Sequence, residues 1–404
     1  MIKKLSCILL FWLSLFYVFS QPAFSMEEVV RYLASPELEG RKMQTRGDTI
    51  TVFYLVNHFK IIDVKPFFRQ FEQPFCGKSM ITTQKNEICS WNVAAVVEGT
   101  DKKLKEQYIL ICAHFDHLGK VKDVFFPGAN DNASGTATVL YLANYFAKNP
   151  MKRSLIFACF AGEELGFLGS SSFIKNFPEP LQKIKYVINF DMVGRLDQGK
   201  LCVTGKESSK LLEKIVRKIA EKEKIKINPS QAIFLNGSDH YLFYQKNIPY
   251  LCFNTGDDKK NYHTPRDRSD SIDYKGMKTI AIFARQIIEE LCSNPNEPDF
   301  RKIDKKKFKS DNNAEMLLMV LSGATNKFGF VFSFMEEVGN EIEISKTTEK
   351  GAEAGLLKGD RVIKINGKEF QCTKDYLDLV ITEKVKPYKV TIVRDGKVNE
   401  VVVE

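Results

Sequence analysis

The sequence lacks several features on which common functions depend. It contains no GxSxG segment, so the nucleophile elbow of serine hydrolases is absent. No two of its nine cysteines have zinc-finger spacing. Its net charge of +9 comes from scattered lysines and arginines, and the densest run, residues 302–309, has a single aromatic residue. That pattern excludes the basic, aromatic groove of a nucleic-acid-binding protein, and we interpret the run as a solvated linker.

The apolar run near the start of the chain is short for a membrane span. A basic segment, residues 1–4, precedes sixteen mostly apolar residues and then the small residues Ala23 and Ser25. This order predicts an export signal over residues 1–25. A span needs about 20 apolar residues, so no stable membrane anchor is expected. We therefore expect the protein in the periplasm, at the cell surface or in the medium.

The chain does contain enough apolar sequence for a large core, since 44% of its 404 residues are hydrophobic and 27% are charged. This composition excludes a disordered chain, and the length suggests two or three domains. Cys112, Cys159 and Cys252 lie in apolar runs and are expected to be core residues. Cys76 and Cys89 flank a polar segment, where an oxidising compartment would allow either a bridge or free thiols.

From residue 107 onward, short apolar runs alternate with stretches of helical periodicity. The apolar runs cover residues 107–114, 154–161, 185–190 and 249–253. Continuous apolar strands are typical of a parallel sheet that is buried on both faces. The sequence therefore predicts an α/β domain over residues 26–293, with a mixed, mostly parallel-cored sheet covered by helices on both faces.

The pattern changes after residue 293. Residues 294–314 are rich in Pro, Asn and Lys, which predicts a linker. Short β-like runs with turn residues follow to the end of the chain, with one helical segment over residues 373–383. They predict a second, small and mostly β domain over residues 315–404.

Acidic residues and histidines stand just after the predicted strands, where open α/β sheets bind ligands. The candidates are His114, Asp116, Asp131, Glu163, Glu164, Asp191 and His263. Imidazoles and carboxylates are zinc ligands, and a shared carboxylate allows two ions to lie about 3.5–4 Å apart. Packing alone would not favour carboxylates at the ends of apolar strands, because burying a charged group is costly. The pattern therefore predicts a zinc site at this edge of the sheet.

The motifs around these residues resemble those of the di-zinc aminopeptidase family of clan MH, of the leucyl aminopeptidase or aminopeptidase Y type. They read ICAHFDHLG, GANDNASGTA, FAGEELGFLGS, INFDMVGR and NYHTPRD, and the resemblance covers nearly all of the predicted α/β domain. It implies two Zn²⁺ ions bridged by Asp131. It also implies that His114 and Asp191 bind one ion, whereas Glu164 and His263 bind the other.

The resemblance further implies the roles of neighbouring residues. Glu163 would be the general base that takes a proton from a zinc-activated water molecule, and Asp116 would orient His114. Tyr262 matches a position that can donate a hydrogen bond to the oxyanion, with plain packing as the alternative. His240, which follows Asp239 in the motif NGSDHYLF, is interpreted as a structural residue at the rim of the site.

The run KFGFVF, followed by GAEAGLLKGDRVIKINGKEF, resembles a PDZ domain. The resemblance implies that backbone amides of Lys327, Phe328, Gly329 and Phe330 hold the C-terminal carboxylate of a peptide. An open strand edge over residues 331–334 would lie beside this loop and accept an added strand. The alternative is a module that packs on the first domain without a ligand.

These expectations combine into an exported zinc-dependent aminopeptidase that acts on peptide or protein N-termini, with a peptide C-terminus as a possible second partner. One alternative is a glutaminyl-peptide cyclotransferase on the same scaffold. The segment DNASGTA favours the aminopeptidase over the cyclase. The other alternative is a PDZ peptide-binding protein with secondary peptidase activity, but the complete set of ligands and base argues against a decayed catalytic domain.

Overall fold

The computed structural model describes residues 24–78, 86–121, 124–196, 201–228, 237–256, 258, 260–304, 328–332, 342–369, 379, 383 and 386–404. The predicted export signal up to residue 23, Lys327 and nearly all of the predicted helix over residues 373–383 lie outside the described residues. Among the described residues, no helix is long and apolar enough to cross a membrane.

The first unit alternates helices and strands along the chain. Its helices are α1 (Met26–Leu33), α2 (Arg46–Ile61), α3 (Gly135–Lys148), α4 (Leu168–Lys175), α5 (Lys210–Lys222), α6 (His240–Gln245) and α7 (Tyr274–Ser293). Its strands are β1 (Lys65–Pro66), β2 (Glu72–Gly77), β3 (Ile88–Val97), β4 (Tyr108–His114), β5 (Lys120–Val121), β6 (Val124–Phe125), β7 (Ser154–Phe160), β8 (Ile184–Phe190), β9 (Leu201–Thr204), β10 (Ile227–Asn228) and β11 (Tyr250–Asn254). The four predicted apolar strands correspond to β4, β7, β8 and β11.

Nine of these strands form one mixed sheet in the order β1-β3-β7-β4-β8-β11-β9-β10, with β2 also paired to β3. The central strands β7, β4, β8 and β11 are parallel to one another. On either side of them, β3 runs antiparallel to β7 and β9 runs antiparallel to β11. The prediction of a mixed sheet with a parallel core is therefore confirmed.

Helices cover both faces of this sheet. Successive side chains of a strand point to opposite faces, so β4 contributes to two cores. Ile109 belongs to the core beneath α1, α2, α3, α5 and α7. Leu110 and Cys112 belong to the core on the other face, together with Phe173 of α4 and Phe243 of α6. All of these side chains are fully buried.

The structure decides between the two states that the sequence left open for Cys76 and Cys89. Cys76 on β2 lies directly opposite Cys89 on β3, and a disulfide joins them. Cys112, Cys159 and Cys252 are buried and free, as expected for core residues.

Residues 294–304 differ from the linker predicted to begin at residue 294, because they pack against the first unit. The Asp299 carboxylate accepts hydrogen bonds from Ser209 Oγ at 2.7 Å and from the backbone N–H of Lys210 at 2.8 Å, so it caps the start of α5. The backbone N–H of Ile303 donates to the Tyr244 hydroxyl at 2.8 Å. Composition indicated a break here, but these contacts extend the first unit through residue 304.

The C-terminal unit is mostly β, as predicted. Its elements are β12 (Phe330–Phe332), β13 (Ile342–Thr347), α8 (Glu349–Glu353), β14 (Arg361–Ile365), β15 (Lys368–Glu369), β16 (Tyr388–Arg394) and β17 (Lys397–Val403). The strands form an antiparallel sheet in the order β12-β13-β14-β16-β17, with β15 paired to β14. This unit has its own apolar core, which includes Ile344, Val362 and Val390.

Candidate metal centre

The parallel strands bring the predicted site residues to one edge of the sheet. These residues are His114 at the end of β4, Glu163 and Glu164 after β7, Asp191 after β8, and His263 after β11. Asp131 lies in an irregular helical turn, Ala129–Ser134, that leads into α3. The carboxyl ends of the central strands therefore form the crevice in which open α/β sheets bind ligands.

Asp131 lies between two pairs of side chains, with one carboxylate oxygen facing each pair. Its Oδ1 is 3.4 Å from Nε2 of His114, and that nitrogen is 3.6 Å from Oδ1 of Asp191. Its Oδ2 is 3.1 Å from Nε2 of His263, and that nitrogen is 3.2 Å from Oε1 of Glu164. The structure thus brings together all five residues that were predicted as ligands.

The donor atoms of this cluster fit zinc. The potential ligands form two groups that share Asp131, and within each group every residue offers a ligand atom within 4.8 Å of the others. Imidazole nitrogens and carboxylate oxygens are common zinc ligands. Asp131 Oδ2 and His263 Nε2 are buried and make no hydrogen bond with the described residues. Since a buried polar atom without a partner is costly, a bound cation would satisfy both atoms.

The electrostatics of the cluster also favour a cation. Burial opposes the charged form of His263, but the carboxylates of Glu164 and Asp131 outweigh it and raise the pKa of His263 to about 10. Burial likewise opposes ionisation of Glu164, but His263 outweighs it and the pKa of Glu164 is lowered to about 2. The negative potential of these carboxylates, which holds a proton on the His263 imidazole, would also attract a divalent cation.

Two carboxylates outside the ligand set fix the loops that carry it. Asp116 accepts hydrogen bonds from the backbone N–H groups of Glu163 at 3.1 Å and Glu164 at 3.3 Å. Its main-chain oxygen lies 3.2 Å from His114 Nδ1, whereas its carboxylate lies 3.6 Å away. Asp116 is therefore placed to orient His114, although its carboxylate mainly holds the loop after β7.

Asp267 supports the turn that carries Asp131, and the sequence analysis did not single it out. Its carboxylate accepts hydrogen bonds from the backbone N–H groups of Asn130 and Asp131, each at 2.9 Å. It also lies 3.5 Å from the Arg195 guanidinium. Its position in the motif NYHTPRD, four residues after His263, was the available signal.

Glu163 and Tyr262 lie beside the cluster. Burial raises the pKa of Glu163 well above its usual value; the carboxylates of Glu164 and Asp191 add to the effect, while His114 opposes it. The Tyr262 ring stacks on the His263 ring, with centroids 3.8 Å apart.

Asp239 and His240 take part in contacts outside the two groups of potential ligands. Asp239 is buried and accepts a hydrogen bond from Ser170 Oγ at 2.5 Å. The His240 ring stacks on Tyr250, with centroids 4.5 Å apart.

One histidine of the cluster was missed by sequence reasoning. His117 is buried, and its Nδ1 lies 3.0 Å from Glu164 Oε1. It joins Asp131, Glu164 and His263 in the second group of potential ligands. The signal was the spacing in HFDH, which places it three residues after His114.

Comparison with known proteins agrees with this geometry. Residues 92–288 match the model of peptidase family M28. Leucine aminopeptidase 2 from Arthroderma otae is 26% identical over 248 residues, which are 53% of this chain and 48% of that protein. The chain spans about half the length of the curated relatives it matches. The residues that match the M28 model include all of the potential metal ligands described above.

Solved structures share the fold at low sequence identity. BSAP, a zinc aminopeptidase from Bacillus subtilis, gives a TM-score of 0.54 at 17% identity and covers 70% of this chain and 99% of its own. A glutaminyl cyclase from Fimbriiglobus ruber gives a TM-score of 0.55 at 20% identity and covers 65% of this chain and 93% of its own. At such identities the likeness shows the fold alone.

Proposed function

We propose that this protein is a zinc-dependent aminopeptidase that removes N-terminal residues from peptides or proteins. The observation that carries the proposal is the cluster in which two groups of zinc-type ligands share Asp131, at the sheet edge that also carries Glu163. The aminopeptidase relatives support the same reaction class.

The five proposed ligands would divide between two zinc ions. His114 and Asp191 would hold one ion with Oδ1 of Asp131, and His263 and Glu164 would hold the other with Oδ2. When bound, the two ions would polarise the scissile carbonyl and lower the pKa of a water molecule from about 15.7 toward about 7.

Glu163 would move the proton. Its carboxylate accepts a proton from the attacking water and returns it to the leaving amine, so the residue ends the reaction as it began. Its backbone N–H is held by Asp116, which fixes the loop on which it acts. Tyr262, held against His263 by ring stacking, would donate a hydrogen bond to the oxyanion.

The test combines a metal count with substrate discrimination. The purified protein should contain two zinc ions per chain and should hydrolyse aminoacyl-anilides with a free amino group, but not the same compounds after N-acetylation. Removal of zinc by a chelator should abolish turnover, and zinc should restore it. A zinc-loaded, folded protein that released no N-terminal residue from the anilides or from a set of peptides would contradict the proposal.

A glutaminyl-peptide cyclotransferase is the alternative on this scaffold, because a cyclase shares the fold. A peptide with N-terminal glutamine separates the two reactions. The aminopeptidase releases free glutamine, whereas a cyclase gives a pyroglutamyl peptide and ammonia without release of an amino acid. The DNASGTA segment at the bridging aspartate favours the first outcome.

We also propose that the C-terminal unit is a PDZ-like module that binds a peptide C-terminus through the loop of residues 327–330. The Phe328 ring is buried against Tyr388, with ring centroids 4.9 Å apart, so the loop before β12 is anchored in the core of this unit. β12 stands at the end of the described strand order, where a peptide strand could be added.

Finally, we propose that the protein is exported. The order of residues in the leader supports this proposal, and so does the disulfide between Cys76 and Cys89, because disulfides persist in oxidising compartments. Cell fractionation with N-terminal sequencing of the mature protein tests it. A protein retained in the cytoplasm with its first residues intact would contradict it.

A further inference from the structure

The environment of His117 suggests a role for a residue that the five-ligand assignment leaves out. His117 lies in the loop after β4 and is 1% exposed. Its Nδ1 is 3.0 Å from Glu164 Oε1 and 3.8 Å from Asp131 Oδ2. Its ring meets the ring of His263 edge-on, with centroids 5.6 Å apart. The imidazole therefore points into the same cavity as the ligands on one side of the cluster.

The separations between these atoms match those around a four-coordinate ion. Zinc bonds of about 2.0–2.2 Å in a tetrahedron place neighbouring ligand atoms about 3.3–3.6 Å apart. His117 Nδ1 lies 3.0 and 3.8 Å from the two carboxylate oxygens, and His263 Nε2 lies 3.1 and 3.2 Å from the same two oxygens. Both histidines thus bear the same relation to Asp131 Oδ2 and Glu164 Oε1. We infer that His117 is a fourth protein ligand of the ion held by Asp131, Glu164 and His263.

Packing fixes the orientation of the His117 ring. Its Nε2 is buried and makes no hydrogen bond with the described residues, so no hydrogen bond on that side orients the ring. The ring instead packs against Gly128, where a side-chain Cβ would come within 2.6 Å of its Cγ and Cδ2 atoms. The backbone of Gly128 therefore fixes the orientation of the ring and leaves Nδ1 directed at the carboxylates.

This inference rests on the metal centre of the proposed function, and it makes the two halves of that centre unequal. Four side chains would surround the ion on the Glu164 side, whereas the described residues offer three on the His114 side. Zinc sites filled by four protein ligands are typical of structural sites, and sites with three keep a position open for water or substrate. We therefore expect the ion on the Glu164 side to be held more tightly and the ion on the His114 side to accept the exchangeable ligands.

The test compares three variants in zinc affinity, measured by equilibration against chelators of graded strength. His117→Asn keeps an N–H that can reach Glu164, but an amide is a poor zinc ligand. His117→Ala removes both functions. His58→Asn is the matched control, since His58 is a partly buried histidine of α2 that packs on Phe24 and Tyr54, outside the cluster.

The ligand role predicts that His117→Asn and His117→Ala both weaken the tighter zinc site by about 100-fold or more, since loss of even a supporting contact costs about 10–100-fold. The His58→Asn variant should bind zinc like the parent. If His117 only donates a hydrogen bond to Glu164, His117→Asn should retain the parent affinity, and that result would overturn the inference.

X-ray absorption at the zinc edge of the unmodified protein gives a second measurement that needs no variant. The inference requires three imidazoles distributed over two zinc ions, from His114, His117 and His263, whereas the five-ligand assignment gives two imidazoles. A count of two overturns the inference even if the variants fail to fold. A parent protein that binds no zinc overturns the inference and the proposed metal chemistry together. A zinc-loaded parent with three imidazoles but no peptidase activity overturns the proposed function alone.

Discussion

At the residue scale, Glu163 and Glu164 are adjacent in sequence but differ in their surroundings. Glu164 Oε1 lies within 3.2 Å of His263 Nε2 and 3.0 Å of His117 Nδ1, so this carboxylate belongs to the ligand cluster. Glu163 is in neither group of potential ligands found among the described residues. Carboxyl groups with such contrasting environments commonly divide the roles of ligand and proton carrier.

The exchange of Glu163 for glutamine should separate these roles. Glu163→Gln removes the carboxylate that accepts the proton but leaves the ligands in place. We expect zinc content equal to that of the parent and a fall in kcat of about 10²–10⁴-fold, the usual contribution of general base catalysis. Glu164→Gln is the comparison, and it should lose zinc. If the Glu163→Gln variant loses zinc, or keeps its turnover, Glu163 is not the general base.

A second residue-scale prediction concerns Asp48, in the first turn of α2. Its carboxylate accepts hydrogen bonds from Ser90 Oγ at 2.8 Å and from the backbone N–H of Gln44 at 2.9 Å. Burial nevertheless raises the pKa of Asp48 to about 7. An unfolded chain would release this proton near pH 4, about the ordinary pKa of Asp. The native state therefore binds the extra proton between these values, and its stabilising effect is lost as the pH rises through about 7.

Asp48→Asn removes this proton without removing the polar side chain. The free energy of unfolding of the parent, relative to this variant, should fall by about 1.4 kcal/mol per pH unit between about pH 4 and pH 7, and should then level off. Urea unfolding of both proteins at several pH values measures the difference and cancels effects that they share. A difference that does not change with pH would mean that Asp48 is ionised in the folded protein throughout this range.

The sequence could predict that the candidate residues meet at one edge of the sheet because each follows an apolar strand or precedes α3, whereas the choice of five proposed ligands among them came from the resemblance of the motifs. His117 stands three residues after His114 in the same segment, but the local sequence does not indicate where its side chain points. The direction of its loop depends on Arg41, which donates hydrogen bonds to the main-chain oxygens of Phe115 at 2.7 Å and Gly128 at 2.9 Å. These contacts join Arg41 to residues 74 and 87 positions further along the chain, so no local periodicity of the sequence indicates them.

At the element scale, the disulfide joins β2 and β3 at the edge of the sheet. Cys76 and Cys89 are 13 residues apart in sequence, and their bond closes this loop in the unfolded chain. By the loop-entropy account, replacing both residues by serine should lower the free energy of unfolding by about 3 kcal/mol. Neither cysteine belongs to the ligand groups, so zinc content and kcat should be retained.

Chemical reduction provides the control for the disulfide. A reductant should lower the Tm of the parent toward that of the double serine variant and should leave the Tm of the variant unchanged. If the variant and the parent unfolded at the same urea concentration, the bridge would contribute nothing to stability. Free thiols in the purified, unreduced parent would contradict the bridge itself.

Element boundaries were predictable where a pattern extends over several residues. The strands β4, β7, β8 and β11 are long enough to show continuous apolar character, whereas β1 and β10 have two residues each. The segment that leads into α3 is irregular. There the backbone of Asp131 is extended, with φ −111° and ψ 94°, because Asp131 serves the site and Asp267 holds its N–H.

At the scale of the whole molecule, the C-terminal unit has an apolar core of its own beside the two cores that cover the sheet of the first unit, and the contacts of the first unit continue beyond residue 293. Arg153 is buried in the first unit and donates hydrogen bonds to the main-chain oxygens of Leu291, Asn294 and Asn296. Two of these acceptors lie beyond the end of α7 at Ser293. The polar sequence that looks like a linker therefore satisfies buried groups, which only the folded structure reveals.

Two truncated proteins test this boundary. A chain ending after Asp304 keeps the contacts of Arg153 and the Asp299 cap of α5, and it should unfold at the same urea concentration as the first unit of the full chain. A chain ending after Ser293 loses the cap and leaves part of the Arg153 guanidinium unpaired. Each of these losses costs about 1–3 kcal/mol, so this shorter chain should be clearly less stable. Equal stability of the two truncated proteins would show that residues 294–304 do not belong to the first unit.

The chain ending after Asp304 also tests whether the metal chemistry is independent of the C-terminal unit. It should retain its zinc and hydrolyse aminoacyl-anilides with little change in kcat/KM, because all proposed ligands and Glu163 lie before residue 264. Peptides long enough to add a strand at β12 should show a raised KM, since backbone pairing and carboxylate capture would bind them away from the reacting carbonyl. An unchanged KM for such peptides would remove the proposed peptide-binding role. Loss of anilide hydrolysis in a folded, zinc-loaded truncated protein would instead place part of the active site in the C-terminal unit.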